Sequence, residues 1–387
     1  MLEVRKAAEE IKDRLIQIRR DFHEYPETGF QEKRTSKKIA DILDKIGIDV
    51  KTNVAKTGVV GLLKGSCKEK TVALRADMDA LNVNENNTVS YRSRNKGIMH
   101  ACGHDGHMSM VIGAAIVLSR FRKQLRGNVK FIFQPAEENI GGAEEMIKDG
   151  VLETPHVDAI FGLHLWPYIN FGSIGIRSGA IMASMDNFSI TIKGKGGHGA
   201  MPHTAVDPLI ATNSLFQELQ TIKTRNIDAL DPFVISICSV NGGTSYNIIP
   251  DEVEIKGTFR TLNDKTRNKV KKRMTEIVEG IARSFGTKYT LHFEKGYPVT
   301  TNNASLVKLV VSSAKKLDVI VTQPNLSMAS EDFSFYQKEV QGAYFWLGVK
   351  RDKTPIALHS GNFNFDEDIL PVGTSLLAEC ALGYLSH

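Results

Sequence analysis

The sequence predicts an α/β protein with a mixed-sheet domain interrupted by an inserted α+β domain of ferredoxin-like order. Three observations predict it. In the first 183 residues, short apolar strands finish in acidic or imidazole side chains, as strands do where an open α/β sheet binds ligands. Over residues 184–295 the pattern runs β-α-β-β-α-β, a self-contained split βαβ arrangement. After Asn302 helix and strand alternate again, so residues 1–183 and 296–387 form one domain around the insert at 184–295.

The elements follow in order. Residues 1–24 read as one helix, with Val4, Ile11, Leu15, Ile18 and Phe22 on one face, stopped by Pro26 and Gly29. A second helix covers 35–46, and strands follow at 59–64 and 71–75. The latter strand runs into Asp77-Met78-Asp79; an Asp-rich turn accounts for that segment as well as a ligand site does. Residues 108–122 are apolar enough for a buried helix, and 128–134 form a clear strand that delivers Glu137-Glu138. Adjacent carboxylates after a buried strand repel each other unless a cation is near; the alternative is the acidic start of a helix at 141–150. His164 lies near the end of a strand at 159–166. In the insert, strands at 186–193, 233–240, 252–260 and 288–293 enclose helices at 205–224 and 264–285. A helix at 304–316, a strand at 343–348 and a helix after Pro371 complete the chain.

Composition narrows the function. The chain has 387 residues, 42% hydrophobic and 24% charged, with a formal charge of +5 spread along its length. That charge is too dilute for a nucleic-acid partner, and Lys269–Arg273 reads as the wet face of a helix. Cys67, Cys102, Cys238 and Cys380 are scattered without a disulfide framework, which points to a reducing cytoplasm. The charged amphipathic start lacks the apolar core of a signal peptide, and no apolar run is expected to approach the length needed to cross a membrane.

The densest chemistry is Ile98-Met99-His100-Ala101-Cys102-Gly103-His104-Asp105-Gly106-His107. Thiolate, imidazole and carboxylate are the ligands of divalent transition metals, and Cys102 and His104 stand two residues apart at the entrance to a helix. His100 and His107 flank them as supporting or helix-start residues. Alone, such a patch is as readily structural as metal-binding. Glu137-Glu138 and His164, each at a strand end, favour a site.

Together, Cys102-Gly103-His104-Asp105-Gly106-His107, Glu137-Glu138, His164, Gly196-Gly197-His198 and His359 resemble the metal-dependent amidohydrolases of the M20 peptidase group. The resemblance is to the branch of hippurate hydrolases, N-acetyl-diaminopimelate deacetylases and auxin-conjugate hydrolases. It includes Arg20-Asp21-Phe22-His23-Glu24-Tyr25-Pro26-Glu27 near the start. It implies a zinc-peptidase-like catalytic domain and an inserted lid through which the chain forms a homodimer. It also implies two divalent metals (manganese or zinc, with cobalt or nickel as alternatives) on Cys102, His104, Glu138, His164 and His359. The general base falls on Glu137.

Where the wider group carries a metal-binding His in an H-x-D element, this chain has Asp77-Met78-Asp79. Cys102 and His104 make up that ligand, and Asp79 remains as a supporting catalytic carboxylate. His198 matches an oxyanion donor often supplied by the partner subunit; an exposed loop histidine is the alternative. Asn247 and Arg260 match holders of a substrate carboxylate, with capping and a surface ion pair as their structural alternatives. The implied reaction is hydrolysis of N-acyl-amino acids by activated water. Dipeptidase or aminopeptidase activity, or a non-catalytic amino-acid or peptide-binding role, are the rivals.

Overall fold

The computed structural model of the chain describes residues 2–67, 70–138 and 141–386. Met1, where the first expected helix begins, lies outside them. That helix is two, α1 (Leu2–Glu10) and α2 (Lys12–Glu24). They meet at Ile11, whose backbone leaves the helical region (φ −104°, ψ 9°) while its side chain stays buried.

The chain continues through α3 (Lys33–Lys45), β1 (Asp49–Val54), β2 (Gly58–Lys64), β3 (Thr71–Asp77) and α4 (His104–Arg120). β4 (Asn128–Gln134), α5 (Gly142–Lys148), β5 (Ala159–Asn170), β6 (Ser173–Gly175) and β7 (Gly179–Met182) come next. β8 (Ser184–Lys193), β9 (Gly197–His198), α6 (Pro208–Thr221), β10 (Phe233–Asn241) and β11 (Ile248–Ile249) follow. After them stand β12 (Glu252–Thr261), α7 (Asp264–Phe285), β13 (Lys288–Phe293) and β14 (Thr300–Asn302). The last elements are α8 (Ala304–Lys316), β15 (Ile320–Thr322), α9 (Phe333–Glu339), β16 (Gln341–Lys350) and α10 (Leu370–Leu385).

Two compact units result. The smaller comprises Ala180–Thr300 and Leu326–Glu331; the larger runs up to Gly179 and resumes over Thr301–Asn325 and from Asp332.

The larger unit is built on an eight-stranded mixed sheet in the order β1-β2-β4-β3-β5-β16-β6-β15. β3 runs parallel to both β4 and β5. All seven residues of β3 and of β4 are buried, which requires both faces of the sheet to be covered. α4 is buried from His104 to Leu118 and therefore lacks a polar face. It packs on α10 and α2.

One expectation is corrected here. The segment Glu367–Leu385, with α10 at its centre, has the length and mean hydropathy (1.2) of a membrane-crossing helix. It is a core helix instead, packed against α1, α4 and α8.

The smaller unit has a four-stranded antiparallel sheet in the order β10-β12-β8-β13, the ferredoxin-like arrangement. β8 alternates buried and half-buried residues, and its inward set (Phe188, Ile190, Ile192) packs with Leu215 and Leu219 of α6 and Val270 and Met274 of α7. The Asn263 side chain caps α7 by accepting the Thr266 N–H at 2.7 Å, and Gly286 ends it at φ +67°.

A buried polar network fastens α2 to α4 in the larger unit. His23 donates from Nδ1 to Asp105 (2.8 Å) and from Nε2 to Glu85 (3.1 Å), so both ring nitrogens carry protons. Arg19 donates to the same Asp105 oxygen at 2.8 Å. Burial works against the His23 charge, but Asp105 and Glu85 raise its pKa overall. A folded pKa raised above the unfolded value gives stability that is complete below about 6.5 and lost as pH rises through the folded value. His23→Leu is accordingly expected to cost roughly 3 kcal/mol below that pH, as for one broken buried ion pair. The gap to wild type should shrink as pH is raised, measured by denaturant unfolding at several pH values. Parallel curves would remove the charge from His23.

Candidate metal centre and active site

The parallel arrangement of β4, β3 and β5 brings three chain segments to one edge of the sheet. β3 ends at Asp77, with Asp79 just beyond; β4 ends at Gln134, with Glu137 and Glu138 beyond; β5 carries His164. The loop from β3 re-enters as α4 through Gly103, in the left-handed region at φ +87°. A Cβ on Gly103 would also stand 3.1 Å from Leu165 Cδ1, so glycine is needed both for the turn and for the close approach. That turn sets Cys102 and His104 beside the strand ends.

Among the described residues, the ligand atoms of Cys102, His104 and His164 lie within 4.8 Å of one another. So do those of Cys102, Glu138 and His359, and those of His104, Glu137 and Glu138. The five side chains expected as ligands therefore fall into two overlapping groups that share Cys102. Cys102 Sγ is 3.4 Å from His164 Nε2, and Glu138 Oε1 is 3.7 Å from His104 Nε2 and 3.3 Å from His359 Nε2.

The histidines are oriented by their other nitrogens. His104 Nδ1 donates to the Asp79 carbonyl at 2.8 Å, and His164 Nδ1 to the Leu165 carbonyl at 2.6 Å. In the neutral rings Nε2 is then the bare nitrogen, turned toward the cluster. His107 is fixed the opposite way. Its Nε2 accepts the Leu165 N–H at 2.9 Å, so Nδ1 donates to Asp77 at 2.7 Å. His107 thus spends both nitrogens on the scaffold and has none for a metal. His359, with φ +64°, enters from a separate loop tied down by its N–H to the Ala101 carbonyl at 2.8 Å.

The donor set fits divalent cations. His104 Nε2 and Glu138 Oε1 are buried without a hydrogen bond of proper geometry, costly unless a cation shares them. Burial lowers the His104 pKa, yet Asp77, Asp79 and Glu138 raise it to about 10 overall, so the cluster favours added positive charge. Burial, then Glu138 and Glu137, push the Cys102 thiol well up. Burial, with His107 adding, holds His164 well below the usual imidazole range and keeps it neutral.

Asp79 accepts the backbone N–H of Glu137 on Oδ1 and that of Glu138 on Oδ2, both at 3.0 Å, and its Oδ1 lies 3.4 Å from His104 Nδ1. Glu137 Oε1 also accepts the Asp332 N–H at 3.4 Å. Sequence reasoning did not assign Asp77, which receives His107 and also Arg75 at 2.8 Å. Its signals were its place in Asp77-Met78-Asp79 at the end of an apolar strand and the charged Arg75 two residues before it.

Three expected residues belong to the smaller unit. His198, exposed on β9 opposite Ile248 of β11, accepts the Ala200 N–H on Nδ1 at 3.1 Å, leaving Nε2–H to donate outward. Asn247 is exposed in the preceding loop. Arg260, on β12, is half-buried and donates to the Met328 carbonyl (3.2 Å) and to Ser330 Oγ (3.3 Å). It has no carboxylate partner among the described residues, and burial lowers its pKa.

Buried thiol, imidazole and paired carboxylates at parallel strand ends define the class, a metal-dependent hydrolase centre. The chain belongs to peptidase family M20/M25/M40, whose model matches residues 73–383. It hydrolyses amide C–N bonds, as that membership and its relatives require. It is 42% identical to thermostable carboxypeptidase 1 of Saccharolobus solfataricus, over 94% of this chain and 93% of that protein. It is 39% identical to N-acetylcysteine deacetylase of Bacillus subtilis, over 95% and 96%. The crystal structure of Bacillus subtilis YXEP protein, described as a dinuclear metal binding peptidase from the M20 family, superimposes with a TM-score of 0.87. It shares 36% identity over 98% of this chain and 99% of that one.

Proposed function

We propose that the chain is an amidohydrolase of N-acyl-amino acids, releasing a carboxylic acid and a free amino acid. The observation that carries this is Asp79 holding the successive amides of Glu137 and Glu138, which fixes two neighbouring carboxylates for two tasks. Cys102, His104, Glu138, His164 and His359 hold two divalent cations, manganese or zinc, with cobalt or nickel as alternatives. A thiolate ligand leans toward the softer ions. When bound, the cations acidify water and polarise the scissile carbonyl.

Glu137 takes the proton of the attacking water as its oxygen bonds to the carbonyl carbon. It then returns that proton to the leaving nitrogen as the C–N bond breaks. His198 donates from Nε2 to the oxyanion on the substrate, from this subunit or its partner. Asn247 and Arg260 receive the free α-carboxylate. A carboxypeptidase and an N-acetylcysteine deacetylase both release an amino acid bearing that group, which supports the assignment.

Arg260→Ala is expected to lower kcat/KM roughly 30- to 150-fold, chiefly through KM. That is the worth of about 2–3 kcal/mol for hydrogen bonds to a charged group. Steady-state kinetics at constant metal content check it, and an unchanged KM would move the carboxylate site elsewhere.

The carboxypeptidase relative favours a second reading, cleavage of short peptides by the same groups; a dipeptidase or aminopeptidase is the form of it that a free α-amine requirement would mark. Metal analysis with a panel of N-acetyl and N-benzoyl amino acids and dipeptides separates them. Preference for a free α-amine would sink the first reading. The smaller unit is read as a lid and homodimer surface, supported by exposed Val234 and Val240 on the edge strand β10. The four unpaired cysteines support a cytoplasmic location.

A further inference from the structure

The turn that carries the two acidic side chains is held by more than Asp79. Ala136, just before Glu137, lies at φ +53°, a left-handed conformation that residues other than glycine seldom adopt. Its N–H donates to Glu32 Oε1 at 3.0 Å. With the next two amides on Asp79, three successive N–H groups rest on two buried carboxylates. The other Glu32 oxygen accepts the Thr57 hydroxyl at 2.6 Å. Glu32 is wholly buried and has no cationic partner among the described residues. Burial pushes its carboxyl up to about 7 against the pull of Thr57. Such a group weakens a fold unless its hydrogen bonds serve a purpose.

A second observation points the same way. Gly29 is where the segment carrying Glu32 passes the turn. A Cβ there would stand 2.9 Å from Ala136 Cβ and 3.1 Å from its Cα. The segment is fixed in turn to the far side of the site, since the Ala80 N–H donates to the Glu27 carbonyl at 2.8 Å. Residues 27–32 thus form a platform between the Asp79 loop and the Glu137 turn.

We propose that Glu32 is a positioning residue for the hydrolytic reaction: by accepting the Ala136 N–H it fixes the turn that presents Glu137 and Glu138. This rests on the roles given above to those two carboxylates. Glu32 touches neither water nor substrate and acts only through the backbone at 136. Glutamine can replace it, because its carbonyl oxygen still accepts from Ala136 while its amide donates to Thr57 Oγ1.

The test uses the full-length, metal-loaded protein and its best substrate from the N-acyl-amino acid panel. It combines kinetics, metal content and amide hydrogen exchange of the peptide spanning 136–138. Glu32→Ala is expected to lower kcat about 10- to 100-fold, with KM within about threefold and metal content unchanged, the usual cost of losing a group that orients an active site. Exchange at 136–138 should quicken while peptides from β3 and β4 keep their protection. Glu32→Gln should restore most of kcat and the slow exchange.

Unchanged kcat or unchanged exchange in Glu32→Ala overturns the proposal. So does a Glu32→Gln variant as impaired as Glu32→Ala. If Glu32→Ala does not fold, Thr57→Val, which removes only the hydroxyl orienting Glu32, is read the same way. Faster exchange with lower kcat supports the proposal, and wild-type values for both overturn it. Wild-type protein inert on every N-acyl-amino acid would sink the functional reading instead, and the exchange data alone would then decide for Glu32.

Discussion

Glu137→Gln is expected to lower turnover about 10²- to 10⁴-fold while bound metal stays at the wild-type level. Glutamine keeps the shape of the side chain and can still face the Asp332 N–H, and the backbone N–H of residue 137 keeps its place on Asp79. What it cannot do is take a proton from water. The loss should therefore fall on kcat, with the folded state and the metal sites undisturbed. Metal analysis beside steady-state kinetics separates the two effects. Near-normal turnover in a metal-replete variant would take the base away from Glu137, and loss of metal would make Glu137 a ligand.

Cys102→Ala is expected to act on the other half of the site. Cys102 is common to both groups of candidate ligands, so its loss should release metal from each and bring turnover to the level of Glu137→Gln or lower. The sign of the pH dependence follows from the thiol. Burial, then Glu138 and Glu137, raise its pKa well above the ordinary value, so a cation must displace a proton to bind there. Metal affinity of the wild type should fall as pH falls, with protons released on binding, both measurable by titration calorimetry in buffers of different ionisation heat. Cys102→Ala should release fewer protons. Two metals retained at full affinity in Cys102→Ala would mean that His104, His164, Glu138 and His359 suffice without it.

Much of this architecture was legible from pattern because burial wrote it into the chain. β4 matches its expected bounds since all seven of its residues face the interior. α8 matches because Asn303 caps a strongly amphipathic stretch, accepting the Ser305 and Leu306 N–H groups. β1 was missed because it is an edge strand whose residues are mostly exposed, Asp49, Lys51 and Asn53 among them. The three-residue strands β6 and β15 are too short to show a period. α10 was misjudged in one respect, since the apolar run Glu367–Leu385 does reach membrane-crossing length, although the helix is packed into the core.

At the site, residue types and spacing drew attention to Cys102, His104, Glu137-Glu138 and His164, and the family resemblance implied the ligand set, with His359 added. What each neighbour does for them was not written locally. Whether His107 binds metal or holds the scaffold depends on the Leu165 N–H, 58 residues away in sequence. The anchoring of Ala136 depends on Glu32, 104 residues away.

The interruption of the larger unit by the smaller one has a consequence for biogenesis. α4 and α10 are neighbours in the finished core, yet about 250 residues separate them along the chain. At a translation rate of about 5–20 residues per second, the apolar α4 waits roughly 10–50 s on the ribosome before its partner helix emerges. The four-stranded layer in between is made only of contiguous sequence and can close during that wait. The nascent polypeptide therefore presents a finished insert attached to an unfinished, sticky catalytic half, the state in which a chaperone has most to shield.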